Sequence, residues 1–302
     1  MSTRELLVLG TAGAVPTRRR NHNGYLLRWD GQGILFDPGE GIQRQMSLAG
    51  ASATELRWVC VTHFHGDHSL GVPGIVQRLG RDRVPHDVHA VFPAEGAEYW
   101  QRLRYATSYH DEPSLVEHPV SGAQETLQGN GFTITARPLA HSIPTYGYRL
   151  AEPDGRAYLP AKLREHGITG AAVRELSGEL LAECTTPKPG QKVAFVMDTG
   201  LCDNVFALAD GVDLLIIEST FLDTETEQAA ERGHLTARQA GEVARAAGVK
   251  TLVLTHFSER YTESDDPLFL EQAGFPDAVL AHDLARIPLP ARRSGRIAPP
   301  PR

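Results

Sequence analysis

Cysteine is scarce in this chain. Three occur in 302 residues, Cys60, Cys184 and Cys202, far apart and without framework spacing. That excludes a disulfide scaffold and predicts buried or incidental thiols in a reducing, cytoplasmic setting. Long apolar runs are missing as well, so no stretch approaches the roughly 20 residues needed to cross a bilayer. Met1-Ser2-Thr3-Arg4-Glu5 leads straight into a strand, without the apolar core of a secretory signal; no membrane attachment is expected. Nor is there an excess of positive charge: 30 Lys and Arg stand against 37 Asp and Glu, a formal net charge of -7. This argues against a globally basic nucleic-acid binder, and no DNA partner is expected, while local phosphate contacts stay open. No fixed-period repeat occurs.

The composition that remains, 41% hydrophobic and 22% charged, is that of an ordinary globular protein with a sizeable core. Apolar and β-branched runs predict strands over 5–10, 24–29, 33–37, 56–61, 87–92, 132–137, 145–150, 192–197, 214–217 and 251–254. Asp30-Gly31 suits a hairpin turn between the second and third. Helices are expected over 42–48, from Gly71, over 95–105, and from Thr236, where Ala237, Ala240, Val243, Ala244 and Ala247 repeat at helical spacing up to Gly248. Strands alternating with helices indicate an α/β protein. Residues 153–190 break this rhythm, being charged, rich in small residues and closed by Thr185-Thr186-Pro187-Lys188-Pro189-Gly190, and read as an arm inserted into a domain spanning 1–287. The Pro- and Arg-rich tail, 288–302, is expected to be disordered.

Chemistry concentrates in Thr62-His63-Phe64-His65-Gly66-Asp67-His68. In an extended segment His63 and His65 point the same way and can share one metal. Gly66 allows a sharp turn that swings Asp67 and His68 toward a second position. Three imidazoles and a carboxylate within six residues suit Zn²⁺ or a similar borderline ion, and Mn²⁺ fits the same donors. His141, Asp198 and His256 each stand at or just past a predicted strand end, where α/β enzymes gather their sites. Asp37 reads either as a turn residue or as a partner that orients a metal-binding histidine. Arg18-Arg19-Arg20 reads as a solvated charge run or, at Arg18, as a phosphate contact.

His63-Phe64-His65-Gly66-Asp67-His68 resembles the signature of the metallo-β-lactamase fold superfamily. Gly10-Thr11-Ala12-Gly13-Ala14-Val15-Pro16-Thr17, Asn23-Gly24-Tyr25, Asp37-Pro38-Gly39-Glu40-Gly41, Gly71-Val72-Pro73-Gly74, His141-Ser142-Ile143-Pro144 and Thr255-His256-Phe257-Ser258 resemble its ribonuclease Z branch. The resemblance implies an αβ/βα sandwich with metals at one edge. It implies one ion held by His63, His65 and His141, a second by Asp67, His68 and His256, and Asp198 bridging both. It further implies catalytic roles for Asp67, His234 and Glu218, and a metal-activated hydroxide attacking a phosphodiester to remove the 3′ trailer of precursor tRNA after the discriminator nucleotide. Two divalent ions against two carboxylates and a hydroxide leave a small positive excess, suited to one phosphodiester charge. A homodimer is implied too, in which the arm of one subunit, with Lys162, Arg164 and Arg174, holds tRNA for the site of the other. The arm keeps Lys162-Leu163 and Gly167-Ile168 but lacks the branch's Gly-Pro turn. The alternatives are a hydrolase of small phosphodiesters or aryl sulfates on the same fold and, third, a non-catalytic metal-binding module.

Overall fold

The structure is a computed structural model that describes residues 4–110 and 114–292. The first sheet begins with the hairpin-connected strands β1 (Glu5–Gly10), β2 (Gly24–Trp29) and β3 (Gln32–Phe36). Between β2 and β3, Asp30 and Gly31 both take positive φ (49° and 82°), as a two-residue primed turn requires. Helix α1 (Ile42–Leu48) then crosses to β4 (Leu56–Cys60), and the metal-type motif opens α2 (Gly66–Ser69). Helix α3 (Val72–Arg81), β5 (Val88–Pro93), α4 (Ala97–Arg104) and β6 (Leu115–Val120) complete this half. From β3 to β6 the strands run parallel.

The second sheet holds β7 (Glu125–Gln128), β8 (Thr133–Pro138) and β9 (Tyr146–Ala151). The chain then leaves as an antiparallel stalk of β10 (Gly155–Tyr158) and β11 (Thr185–Lys188), a sheet of its own. The stalk carries two short helices, α5 (Pro160–Glu165) and α6 (Gly178–Cys184). The chain re-enters as β12 (Lys192–Val196), paired directly with β9, so the excursion lies between two sheet neighbours. Helix α7 (Asp203–Ala209), β13 (Leu214–Glu218), α8 (Thr226–Arg232), α9 (Ala237–Ala246), β14 (Thr251–Thr255), α10 (Asp266–Ala273) and β15 (Ala278–Leu280) follow. Strands β12 to β15 are mutually parallel. Strand β16 (Arg286–Pro288) returns to the first sheet and pairs with β1.

The period of two along each strand separates three apolar layers. Leu6, Val8, Leu27, Phe36, Phe195, Ile216 and Val253 fill the space between the sheets. The alternate residues Leu7, Leu9, Leu26 and Leu35 face α1 and α3, while Ala194, Val196, Leu215 and Leu254 face α7 and α9. Thr236 caps α9 with a reciprocal bond to Gln239. This is the αβ/βα sandwich, with its parallel strands all ending at one edge.

All four edge strands of the two large sheets escape the sequence pattern: β6 carries Pro119, β7 is only four residues long, and β15 and β16 have three residues each. Proline is tolerated in β6 because it is an edge strand. The tail also differs from expectation. Pro288 lies in β16, Leu289 N–H donates to the Arg4 carbonyl, and Arg292 pairs with Glu152, so 288–292 pack on the body. Residues 293–302, the rest of the expected disordered tail, lie outside the described residues, as do Met1, Ser2 and Thr3 at the start. No helix among the described residues is long and apolar enough to cross a membrane.

Candidate metal centre

Strand ends deliver the donors. β4 ends at Cys60 and the chain passes through Val61-Thr62 to His63 and His65; α2 then turns Asp67 and His68 back inward. Gly66 does not supply this turn through a left-handed backbone, since its φ is not positive; the onset of a helix does so instead. A Cβ at Gly66 would lie 2.9 Å from the Leu70 Cδ1. The loop before α1 packs so closely against α2 that a Cβ on Gly39 would meet the Asp67 carbonyl at 2.1 Å. His141 follows β8, Asp198 follows β12, and His256 follows β14.

Two groups of donors meet at Asp198: His63, His65, His141 and Asp198 in one, Asp67, His68, Asp198 and His256 in the other; Glu218, His234 and His256 form a third group apart from it. Asp198 belongs to both. Its Oδ2 stands 3.6 Å from His63 Nε2 and 3.8 Å from His141 Nε2, and its Oδ1 3.3 Å from His68 Nε2 and 3.0 Å from His256 Nε2. Within the groups, His63 Nε2 and His65 Nδ1 are 3.1 Å apart, and His68 Nε2 and Asp67 Oδ2 3.2 Å. A tetrahedron with metal–ligand bonds of ~2.0–2.1 Å has edges of about 3.3 Å, so these separations suit such an ion.

The outer nitrogen of four rings is spoken for. Thr62 Oγ1 donates to Asp37 and so accepts from His63 Nδ1 at 3.0 Å. Thr220 Oγ1 donates to Glu218 and accepts from His256 Nδ1 at 2.7 Å. His68 Nδ1 donates to Asp37 Oδ2 at 2.8 Å, and His141 Nδ1 to the Gly233 carbonyl at 3.1 Å. These tautomers, assigned from the network, leave four Nε2 lone pairs converging on one buried carboxylate, whose Oδ1 has no hydrogen-bond partner among the described residues. Lone pairs facing lone pairs repel unless a cation lies between them. The donor set therefore fits divalent metal.

Electrostatics agree. Burial depresses the pKa of His63, His65 and His141, which keeps them neutral as ligands must be. Burial also acts on His68, but Asp198, Asp67 and Asp37 around it outweigh that and raise its pKa well above the usual value. Burial alone would raise the carboxyls of Asp67 and Asp198, yet the histidines around them hold both well below the usual range. Positive charge is favoured here.

Asp37 takes both roles open to it in the sequence. It is fully buried at φ 44°, accepts from Thr62 N–H at 2.7 Å and aims its second oxygen at His68. Three residues at this edge, Asp37, Asp198 (φ 46°) and His256 (φ 63°), hold left-handed backbone without being glycine, at a cost of about 1–3 kcal/mol each. We expect Asp37→Ala to weaken metal affinity roughly 10- to 100-fold and to cost about 1–3 kcal/mol of stability by stranding Thr62 N–H and His68 Nδ1–H. Chelator competition and denaturant melts read the two effects separately, and unchanged affinity would refute the orienting role.

Beside the donor groups lies a second pair. Glu218, at the end of β13, is buried and accepts from His234 Nδ1 at 3.1 Å, Thr199 N–H at 2.6 Å and Leu235 N–H at 3.1 Å. Burial lowers the His234 pKa, but the Glu218 and Asp198 carboxylates more than reverse this and raise it to about 9. The His234 ring sits 5.3 Å from that of His141 and 5.4 Å from that of His256, centroid to centroid. His234, with His65, Asp67, His141, Asp198 and His256, borders one cleft of about 530 Å³, which Ala14 also lines. A Cβ on Gly13 would lie 3.1 Å from the His256 ring, so the first loop does lie against the donors.

The arginine run separates into unlike parts. Arg20 is buried, donating to Thr11 Oγ1 and the Ala281 carbonyl at 2.8 Å and pairing with Asp266; Arg19 pairs with Asp266 too. Arg20 is thus no solvated charge, because its guanidinium ties the first loop to α10. Arg18 is exposed. Lys162, Arg164 and Arg174 are exposed on the excursion, Lys162 paired with Glu165, and neither they nor Arg18 line the cleft. The orienting hydroxyls of Thr62 and Thr220 had no role in the sequence reading; their only signal is adjacency, directly before His63 and two residues after Glu218.

Comparison with known proteins places this geometry. Residues 32–257 match the model of the beta-lactamase superfamily domain. A ribonuclease Z of Thermobifida fusca is 55% identical over 97% of each chain. One from Streptomyces coelicolor is 54% identical over 97% of this chain and all of its own. Among solved structures, the short form of human tRNase Z shares the fold, with a TM-score of 0.71 over 95% of this chain and 100% of its own, at 24% identity. Such identity over nearly full length, on this fold and with this donor edge, makes the chain a member of the ribonuclease Z family, an endoribonuclease branch of the beta-lactamase superfamily.

Proposed function

We propose that the chain is the endonuclease that removes the 3′ trailer of precursor tRNA after the discriminator nucleotide. The observation that carries this reading is Asp198, whose two oxygens face two separate imidazole groups in a chain of ribonuclease Z kinship. His63, His65 and His141 would hold one divalent ion and Asp67, His68 and His256 the other, zinc by donor chemistry, with Asp198 shared. Bound there, the ions supply Lewis acidity and a water of lowered pKa. Asp67 keeps an ionised carboxylate at the cleft to accept a proton from the attacking water. His234, its Nδ1 engaged by Glu218, has Nε2 left to protonate the departing oxygen. Water oxygen bonds to phosphorus as the bond to the 3′-oxygen breaks, leaving a 3′-hydroxyl on the tRNA and a 5′-phosphate on the trailer. Labelled precursor tRNA with and without chelator tests this: a discrete, chelator-sensitive cut at the trailer boundary is expected, and turnover confined to small diesters would overturn it.

The excursion over 153–190 is assigned to tRNA docking, in a cytoplasmic homodimer where it serves the partner's cleft. Its charges balance: Arg156, Lys162, Arg164, Arg174 and Lys188 against Asp154, Glu165, Glu175, Glu179 and Glu183. Docking would therefore rest on individually placed cations, each meeting one backbone phosphate. Glu152 N–H already bonds the Gln191 carbonyl across its base, so a short linker can replace 154–189. This deletion should raise the precursor KM at least tenfold, about 1.4 kcal/mol. The salt dependence should flatten by about 1 in slope for each cation–phosphate pair that the deletion removes, with small-diester hydrolysis nearly intact. Equal tRNA affinity in a folded, metal-loaded variant would refute the assignment.

A further inference from the structure

Next to the metal-type cleft lies a second cavity, of about 340 Å³, that none of the roles above uses. Phe64, Tyr99, Gly96, Ile143 and Pro144 form its walls, Glu95 stands at its rim, and His65 is common to it and the cleft. Phe64 is fixed edge-on against Phe92 (6.1 Å between centroids), which stacks on Trp100 at 4.8 Å; Tyr99 tilts toward Phe64 at 6.0 Å. The close approach depends on Gly96, where a Cβ would fall 2.1 Å from Phe64 Cδ2. Tyr99 remains 46% exposed, with the Arg102 guanidinium 5.5 Å from its ring centroid.

We propose that this cavity is a nucleobase slot for a nucleotide flanking the scissile phosphate, with Tyr99 and Phe64 as its stacking surfaces. This rests on the ribonuclease reading of the cleft. The occupant follows from the lining. Among the described residues no Lys or Arg lines the cavity, and the exposed Glu95 carboxylate repels anions, so a phosphate is disfavoured, while a flat, neutral ring is accepted. The shared His65 places the slot one side chain from the reacting edge, within reach of a base attached to the nucleotide being cut.

The test compares wild type with Tyr99→Ala in single-turnover cleavage of an intact precursor tRNA and of two matched precursors, abasic immediately 5′ or 3′ of the cut. On the intact precursor Tyr99→Ala should lose roughly 5- to 150-fold in kcat/KM, while Tyr99→Phe keeps the ring and the rate. On the precursor that lacks the occupying base, Tyr99→Ala and wild type should cleave alike. Gly96→Ala, which drives Phe64 out of place, should reproduce the base-dependent loss with metal content unchanged. Cleavage of the intact precursor indifferent to Tyr99, or a loss that persists undiminished on both abasic substrates, overturns the slot alone. Wild type that leaves the intact precursor uncut overturns the ribonuclease reading, and the slot with it.

Discussion

Asp198→Ala is expected to lose bound metal and phosphodiesterase activity together. The carboxylate sits between two imidazole groups, 3.0–3.8 Å from four ring nitrogens, and among the described residues is the one negative charge common to both. Removing it leaves those nitrogens without the anion that offsets the repulsion between two cations. Loss of a Lewis-acidic ion forfeits several kcal/mol of transition-state stabilisation, about 10³-fold or more in rate. Part of the effect in Ala would be backbone strain, since residue 198 is left-handed at φ 46°. Asp198→Asn separates the two: Asn tolerates that conformation but brings no charge. Elemental analysis that still finds two metals per chain in Asp198→Asn would sink the bridging assignment.

His234→Ala is expected to slow cleavage roughly 10²- to 10⁴-fold, the usual worth of a positioned acid or base, with both metals retained. No donor of either group is removed. Glu218 keeps the Thr199 and Leu235 N–H groups and the Thr220 hydroxyl, so the buried carboxylate stays satisfied and the fold should persist. Single-turnover cleavage unchanged from wild type, at full metal content, would reduce His234 to a packing residue.

Legibility in the sequence followed the range of the interaction. The strand and helix runs around 5–10, 24–29 and 42–48 were readable because period, turn residues and caps are local. His63 through His68 were readable for the same reason, six neighbours carrying the chemistry. Asp37 was half legible: its turn is local, whereas its bond to His68 spans 31 residues. The arginine run was not, because Arg20 owes much of its burial to Asp266 and Ala281, far along the chain. Strand β6 gave no clear signal because an edge strand accepts Pro119, and β16 because its pairing partner β1 lies at the opposite end.

By itself the sequence determined the alternation of strands with helices, the inventory of imidazoles and carboxylates, and their habit of falling at strand ends. Only the tertiary structure decided which donors meet. His68 and His256 are 188 positions apart yet 3.2 Å from nitrogen to nitrogen. Asp198 comes between the two groups because β12 and β4 belong to facing sheets whose ends open on one edge. The same packing pins the outer nitrogens through Thr62, Thr220, Asp37 and Gly233 and supports left-handed backbone at Asp37, Asp198 and His256. Donor identity is a property of side chains and travels with the sequence. Convergence of lone pairs costs repulsion and backbone strain, and only a packed sandwich offsets that cost.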